Sequence, residues 1–172
     1  MFLCILIIAF VIYLDQLSKW LAVVFLRGGD SVPVIKDVFQ LTYVENKGAA
    51  FGMFSEQRWL FMTASAVAII CLFVYIAVKK PKSIIIRTSL SMIIGGGIGN
   101  MIDRFLLGYV VDFFDFSLIN FAVFNVADSF VCVGTGILML YIIITTIQDI
   151  KGAKKDEIGK REDKKRSLKR KA

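Results

Sequence analysis

Two aspartates, Asp112 and Asp128, lie in or next to strongly apolar sequence, where a charged carboxylate costs free energy unless another group binds or uses it. Asp112 belongs to VVDFFDF at residues 110–116, and Asp128 belongs to FNVADSF at residues 124–130, where an apolar run begins. Two carboxylates about 4 Å apart repel by about 4 kcal/mol at an effective dielectric of about 20, equivalent to about 3 pKa units. One member of such a pair therefore keeps a proton at neutral pH. Together they can activate a water for attack on a carbonyl group.

Other roles are open to the same residues. Asp128 can cap the N-terminus of a helix, and Asp112 can be an ordinary surface charge. Asp115, in the same stretch as Asp112, competes with it as the partner of Asp128. Residue spacing alone does not decide between these two candidates.

The residue types that are missing narrow the chemistry. The chain contains no histidine, which excludes Ser-His-Asp hydrolysis, Cys-His hydrolysis and HExxH zinc sites. Cys4, Cys71 and Cys132 lie in apolar runs without CxxC spacing, so we predict neither a disulfide framework nor a zinc site. Any reaction must depend on carboxylates, hydroxyls, amides, Lys or Arg, and we expect no metal and no cofactor.

Asp15 and Lys19 form a second charged pair, inside an apolar segment. Because they are four residues apart, they share a helix face and can pair, which lowers the cost of about 2.5–3.5 kcal/mol that each carries at a bilayer centre. We predict a structural role for this pair. A peptidase that uses Ser18 and Lys19 is an alternative, but adjacent helical residues point about 100° apart, which opposes direct activation.

Four apolar segments must position these residues. The chain is 57% hydrophobic, and the segments cover residues 2–26, 59–78, 84–102 and 126–147 approximately. Each is close to the length of about 20 residues that crosses about 30 Å of hydrocarbon as a helix. The first segment lacks the basic N-terminal region and the small-residue cleavage site of a secretory signal peptide, so we predict that it remains as an uncleaved membrane span. The sequence predicts a mainly α, polytopic membrane protein with a four-helix bundle, formed as a single domain by residues 1–150.

Basic residues predict the orientation of the spans. The KKPK loop at residues 79–82 and the tail at residues 151–172 are both basic, and the positive-inside rule places both in the cytoplasm, together with the N-terminus. The net charge of +7 comes entirely from the tail. We predict a solvated, disordered tail, with contact to anionic lipids as the alternative. The connections at residues 27–58 and 103–125 then face the other side.

The outer connections and the third span carry further polar or small residues. VFQLTYV at residues 38–44 alternates, which predicts a strand in a small extracytoplasmic sheet between helices 1 and 2. NKGAAFG at residues 46–52 is either a turn or a place where another chain approaches closely. Gly96, Asn100 and Arg104 share one helix face, where glycine permits tight packing and the polar pair can orient other groups.

Five motifs, in order and with their spacing, resemble bacterial lipoprotein signal peptidase, signal peptidase II. They are DQLSK at 15–19, NKGAAFG at 46–52, GGGIGNMIDR at 95–104, VVDFFDF at 110–116 and FNVADS at 124–129. The resemblance covers roughly residues 10–130. It implies an aspartic endopeptidase of the bacterial plasma membrane, which removes the signal peptide of prolipoproteins just before a diacylglyceryl-modified cysteine.

The resemblance also implies residue roles. Asp112 and Asp128 match the catalytic dyad, which sets Asp115 aside, and Asp15 and Lys19 match structural positions. The positions implied to bind substrate or orient the dyad are Asn46, Gly48, Asn100, Arg104 and Asn125. We therefore expect a monomer, surrounded by membrane lipids and binding no nucleic acid, that uses a dyad-held water without a covalent intermediate while the outer segment closes over the substrate. The alternative function is a small proton-coupled transporter, which predicts ion flux without peptide cleavage.

Overall fold

A computed structural model describes residues 1–48 and 58–169, and in these ranges the chain forms long helices and a small sheet. The elements are α1 Phe2–Leu26, β1 Val32–Ile35, β2 Phe39–Asn46, α2 Arg58–Lys79, α3 Ile84–Leu106, β3 Val110–Asp115 and α4 Val126–Lys169. Residues 49–52 of the NKGAAFG motif lie outside the described residues. The observed β2 contains almost all of the strand predicted at 38–44.

Helical segments within the described ranges are long and apolar enough to cross a membrane. The four are Phe2–Leu26, Met62–Lys79, Ile84–Leu106 and Val126–Lys154. Large apolar side chains such as Phe10 and Val78 are exposed, whereas Asp15 and Lys19 are buried. This arrangement suits a protein whose surroundings are lipid, because charged groups inside the bilayer must face the bundle interior. The predicted four-span, mainly helical membrane fold is confirmed.

The centre of the bundle is α3, which packs against α1, α2 and α4. Its glycines make this position possible, because a side chain at any of several of them would meet a neighbouring helix. A Cβ at Gly96 would collide with the Ala127 carbonyl oxygen of α4, and one at Gly95 would lie 2.8 Å from Cβ of Val11 in α1. The predicted tight packing of this glycine-rich face is what the structure shows.

Gly96→Ala is expected to lower the free energy of unfolding by about 1–3 kcal/mol, because the added methyl group forces α3 and α4 apart. The matched control is Gly136→Ala in α4, since a Cβ there has nothing within 4 Å. In that open position alanine is expected to be neutral or stabilising by up to about 1 kcal/mol. Unfolding of both purified variants in mixed detergent measures the difference. Equal stability of the two variants would contradict the packing argument.

The sheet has the order β1-β2-β3, with antiparallel pairing throughout. Its third strand comes from between α3 and α4, in the VVDFFDF segment, so the sheet joins both outer connections of the chain. Val111 and Phe113 of β3 pack on Ala22 and Leu26 near the end of α1. This apolar contact holds the sheet against one end of the bundle, where β3 is placed beside the start of α4.

The last helix differs from the prediction. The apolar run ends near residue 147, and disorder is predicted for residues 151–172, but α4 continues as a helix through Lys169. The segment is rich in Lys, Arg and Glu, which are good helix formers and can extend an existing helix without tertiary contacts. The hydrophobic pattern therefore marks the end of the span and not the end of the helix.

Candidate active site

Asp112 lies within β3 and pairs with Val44 of β2 in the sheet. Its side chain is 2% exposed. Nδ2 of Asn46 donates to Oδ2 of Asp112 at 2.8 Å, and Nδ2 of Asn125 donates to Oδ1 at 2.6 Å. Burial raises the pKa of Asp112 to about 6; the charge of Asp128 adds to the rise, and the two amide hydrogen bonds oppose it.

Asp128 lies in the first turn of α4, where it closes a capping box with Asn125. The N–H of Asp128 donates to Oδ1 of Asn125 at 3.0 Å, and the N–H of Asn125 donates to Oδ2 of Asp128 at 3.2 Å. The carboxylate accepts a second hydrogen bond, at Oδ1 from Nδ2 of Asn100 at 2.7 Å. The N-cap residue is therefore Asn125 and not Asp128, which is the third helical residue of the capping box; these bonds hold its carboxylate in one orientation.

A closed aromatic loop brings the two aspartates together. The backbones of Phe114 and Phe124 form an antiparallel bridge, with hydrogen bonds of 2.8 and 3.1 Å, and their rings lie 5.5 Å apart. This bridge returns the chain to β3 immediately before Asn125. As a result, α4 begins beside Asp112 and carries Asp128 into the same site.

Asn125 connects the two carboxylates directly. Its side-chain amide donates to Asp112, while its side-chain oxygen and backbone N–H engage Asp128. The same Nδ2 lies 3.0 Å from Oδ1 of Asn100. Because Asn125 is fully buried, these bonds are shielded from water and fix the relative position of the two acids.

Lys19 determines how Asn100 presents its amide. Nζ of Lys19 lies 2.8 Å from Oδ1 of Asn100, and an ammonium group can only donate. The carbonyl oxygen of Asn100 must therefore face Lys19, which leaves its NH₂ directed at Asp128. Lys19 also forms ion pairs with Asp15 at 2.9 Å and Asp103 at 3.0 Å. The predicted pairing of Asp15 with Lys19 is thus present, as part of a larger buried network.

Asp15 has a second contact that sequence spacing did not reveal. Its Oδ1 accepts the N–H of Ala127, at the start of α4, at 2.9 Å. A carboxylate at a helix N-terminus satisfies an otherwise unpaired N–H and interacts favourably with the helix dipole. Asp15 therefore ties α1 to the helix turn that carries Asp128.

Asp103 and Gln16 also belong to the site, although the motif reading assigned them no role. Oδ2 of Asp103 accepts the N–H of Val111 at 3.0 Å, and Oδ1 accepts Nε2 of Gln16 at 3.0 Å. Asp103 is 3% exposed and follows Gly99 by four residues. Gly99 and Asp103 therefore share a face of α3, next to the face that carries Gly96 and Asn100. This spacing is the sequence signal from which the role of Asp103 could have been predicted.

Arg104 and Gly48 lie at the edge of the site. Nη2 of Arg104 donates to the Gly48 carbonyl at 3.3 Å, and Nη1 donates to the Asn100 carbonyl at 3.4 Å. The Gly48 N–H donates to Oδ1 of Asn46 at 3.0 Å. The guanidinium thus links α3 to the end of β2 and keeps a positive charge near both aspartates.

Both aspartates line one cavity of about 480 Å³. Its polar wall carries the aspartates with Asn46, Asn100 and Arg104, and its apolar wall includes residues 121–124. A cavity of this size and mixed lining can hold a peptide segment beside a water. Asp115 is directed elsewhere: its Oδ2 accepts Nε2 of Gln40 at 2.7 Å, at the other end of the β2–β3 pairing.

Comparison with known proteins agrees with this architecture. A family profile, Peptidase_A8, described as signal peptidase (SPase) II, matches residues 7–144. A protein of Caldanaerobacter subterraneus subsp. tengcongensis named lipoprotein signal peptidase is 51% identical over 140 residues, which cover 81% of this chain and 94% of that protein. A Brevibacillus brevis protein of the same name is 44% identical, covering 81% of this chain and 93% of its own length.

A solved structure described as a bacterial membrane enzyme, determined by the in meso method, shares the fold. It superimposes with a TM-score of 0.79 at 30% sequence identity, covering 85% of this chain and 90% of that one. The profile match extends over most of the chain and includes every motif from DQLSK to FNVADS. On these grounds, the chain belongs to the signal peptidase II family.

Proposed function

We propose that this chain is a membrane aspartic endopeptidase that removes signal peptides from prolipoproteins, with Asp112 and Asp128 as its catalytic pair. The observation that carries the proposal is the Asn125 bridge: its side-chain amide donates to the Asp112 carboxyl group and its backbone N–H donates to that of Asp128, and both groups line one cavity. Family membership supports the reaction class, since the related proteins are named lipoprotein signal peptidase. The two carboxyl groups account for the acid and the base that peptide hydrolysis requires.

In the proposed reaction, Asp112 is the carboxyl group that carries a proton in the active form. Burial raises its pKa to about 6, so the population of this protonated form grows as the pH falls toward 6. Asp128 takes a proton from the water as its oxygen attacks the scissile carbonyl carbon, and Asp112 donates its proton to the carbonyl oxygen. The tetrahedral intermediate then collapses: one of its hydroxyl groups returns a proton to Asp112 as the carbonyl group re-forms, the peptide C–N bond breaks, and the proton on Asp128 passes to the leaving amine. No bond forms between the protein and the substrate.

The position of the pair suits a lipid-bearing substrate. Asp128 lies at the third residue of α4, at the end of a membrane span, and the sheet covers that end of the bundle. A substrate can keep its acyl chains in the bilayer while its scissile bond enters the cavity. Purified protein is expected to cut a precursor peptide immediately before a diacylglyceryl cysteine and to leave the unlipidated peptide intact. Mass spectrometry of the products tests this; equal cleavage of both peptides would contradict it.

Asn46→Ala is expected to move the pH dependence of cleavage to higher pH. The Asn46 hydrogen bond lowers the pKa of Asp112, so its loss lets that pKa rise further above its ordinary value. The limb of the kcat/KM profile that reports Asp112 should shift upward by about one pH unit. Gln40→Ala is the matched control, because Gln40 lies on the same strand and donates to Asp115. An unshifted Asn46→Ala profile, or a shift to lower pH, would contradict the assignment.

The contacts disfavour the two alternatives. Oγ of Ser18 donates to the Asp15 carbonyl at 2.8 Å, and Nζ of Lys19 is occupied by Asp15, Asp103 and Asn100, so a Ser18–Lys19 nucleophile has no support. A proton-coupled transporter needs polar groups along a path through the bilayer. The buried acids of the described residues instead gather in one network around the start of α4.

We further propose that both termini lie in the cytoplasm, that the active site lies near the extracytoplasmic surface, and that a monomer is sufficient. The basic KKPK loop and tail support this orientation through the positive-inside rule. The basic tail is placed where it can contact anionic lipids. A reporter that fluoresces only in the cytoplasm, fused after residue 172, is expected to be fluorescent. A fusion that is fully expressed but not fluorescent would contradict the proposed orientation.

A further inference from the structure

A small basic cavity lies at the end of the bundle opposite the aspartates. It has a volume of about 110 Å³ and is lined by Met1, Ile76, Lys80, Pro81 and Arg87. Arg87 lies in the first turns of α3, about 20 Å along the helix axis from Asn100. The cavity therefore shares no residue with the catalytic site.

Arg87 has no counter-charge among the described residues. Its Nε is buried and without a hydrogen-bond partner. Among the side chains that the structure describes, the ion pairs involve Lys19 and Arg27, and none involves Lys80 or Arg87. A buried donor without a partner costs free energy, more so when its group is charged. The arrangement is therefore one that an anion would complete.

The surrounding backbone adds to the positive potential. Arg87 lies near the N-terminus of α3, the positive end of the helix dipole, and the first turn of α3 contains no acidic residue. Lys80, the residue after α2, has a φ of 44°, in the left-handed region; the chain turns sharply there and the lysine lines the cavity. The C-terminus of α2 offsets part of the Lys80 charge, but it does not reach the guanidinium of Arg87 with a hydrogen bond.

We propose that this cavity binds a phosphate oxyanion through Arg87, with Lys80 as a second cation. A guanidinium presents its N–H groups in a geometry that matches phosphate oxygens. The cavity lies at the boundary of two membrane spans, where the headgroup of an anionic phospholipid supplies this chemistry. Free phosphate is the other source. The inference does not depend on the catalytic proposal.

Native mass spectrometry of the purified full-length protein, titrated with dioleoylphosphatidylglycerol, tests the site. Arg87→Gln is expected to weaken lipid binding about tenfold, because a charged donor group is lost, and Lys80→Gln is expected to weaken it less. The matched control is Lys82→Gln, which removes the same charge from the same loop at an exposed position outside the cavity. Lys82→Gln should bind like the parent protein.

Equal affinity of the parent, Arg87→Gln and Lys82→Gln proteins would overturn the proposal. If Arg87→Gln does not fold, the lipid affinities of Lys80→Gln and Lys82→Gln are compared instead. Weaker lipid binding by Lys80→Gln supports the site, and equal binding by the two variants overturns it. Competition with inorganic phosphate separates the two sources. Displacement of the lipid by millimolar phosphate identifies a general phosphate site, and resistance to it identifies a headgroup site. Unchanged peptide cleavage by Arg87→Gln would confirm that the cavity is distinct from the active site.

Discussion

Asp112→Asn and Asp128→Asn are each expected to reduce kcat/KM for a lipidated precursor by about 10³-fold or more, a size typical of a lost general acid or base. Asparagine has nearly the shape of aspartate, but its amide neither takes the proton of the attacking water nor supplies one to the carbonyl oxygen. Both carboxyl groups line the same cavity and accept hydrogen bonds from Asn125. Cleavage rates of purified variants in detergent, normalised to folded protein, measure the effect.

Asp115→Asn is the matched control for these variants. Asp115 lies in the same strand as Asp112, three residues along, but it accepts from Gln40 and Thr42 at the far end of the strand pairing. We expect it to keep cleavage within about twofold of the parent, since surface-type changes away from a site have small effects. If Asp115→Asn were inactive while Asp112→Asn cleaved normally, the assigned pair would be wrong.

Stability separates the catalytic loss from a folding defect. The pKa of Asp112 is raised in the folded state, so the free energy of unfolding falls as the pH rises from the ordinary aspartate pKa of 3.8 toward about 6. Above that pH, the ionised Asp112 side chain continues to destabilise the fold. Asp112→Asn removes this destabilising charge at pH 8. That gain offsets the loss of one of the two hydrogen bonds from Asn46 and Asn125, because the NH₂ group of asparagine cannot accept. Asp112→Asn should therefore unfold at nearly the same temperature as the parent at pH 8, although it is inactive.

Lys19→Met is expected to lower the free energy of unfolding by about 3–5 kcal/mol, the usual cost of removing one partner from a buried ion pair. Its ammonium group lies within 3.0 Å of both Asp15 and Asp103, and all three side chains are nearly inaccessible. Methionine fills a similar volume but leaves two buried carboxyl groups without a cation. Unfolding by titration with SDS, or by heating in a mild detergent, measures the loss.

Arg27→Met provides the comparison, because Arg27 pairs with Glu45 at 3.3 Å with side chains 56% and 32% exposed. Exposed pairs contribute about 0–1 kcal/mol. Each variant removes one positive charge, Lys19 from within α1 and Arg27 from the residue that follows it; the ion pairs of Lys19 are buried and that of Arg27 is exposed. Losses of similar size in both would show that the Lys19 network is not a principal support of the bundle.

The polar partners of the aspartates were largely beyond sequence reasoning. Asn46 and Asp112 are 66 residues apart, and Lys19 and Asn100 are 81 apart, so no local spacing rule relates them. Their positions were predicted from motif resemblance, which says that a residue matters without saying what it contacts. Asp103 is an example. It lies inside the GGGIGNMIDR motif, but its role as a partner of Lys19 follows only from the packing of α1 on α3.

The strand β3 could not be predicted from the hydrophobic pattern of the sequence. Period-two alternation reveals a strand when one face is buried and the other is solvated. In β3 the residues from Val110 to Phe113 are buried consecutively, on both faces, so the pattern does not alternate. By contrast, β2 was predicted from its alternating side chains, and its predicted and observed bounds differ by one residue at the start and two at the end.

The sequence by itself determined the number of spans, the membrane environment and the class of chemistry. Those properties depend on the length of apolar runs and on which side chains are present or absent, and both can be read without knowing contacts. Residue spacing left Asp112 and Asp115 open as partners of Asp128, and only the tertiary structure shows the physical reason why Asp112 shares a cavity with Asp128: the Phe114–Phe124 bridge and the α3 glycines determine which distant segments touch. It also decided where α4 ends, since helix propensity carries the backbone past the last apolar residue of the span.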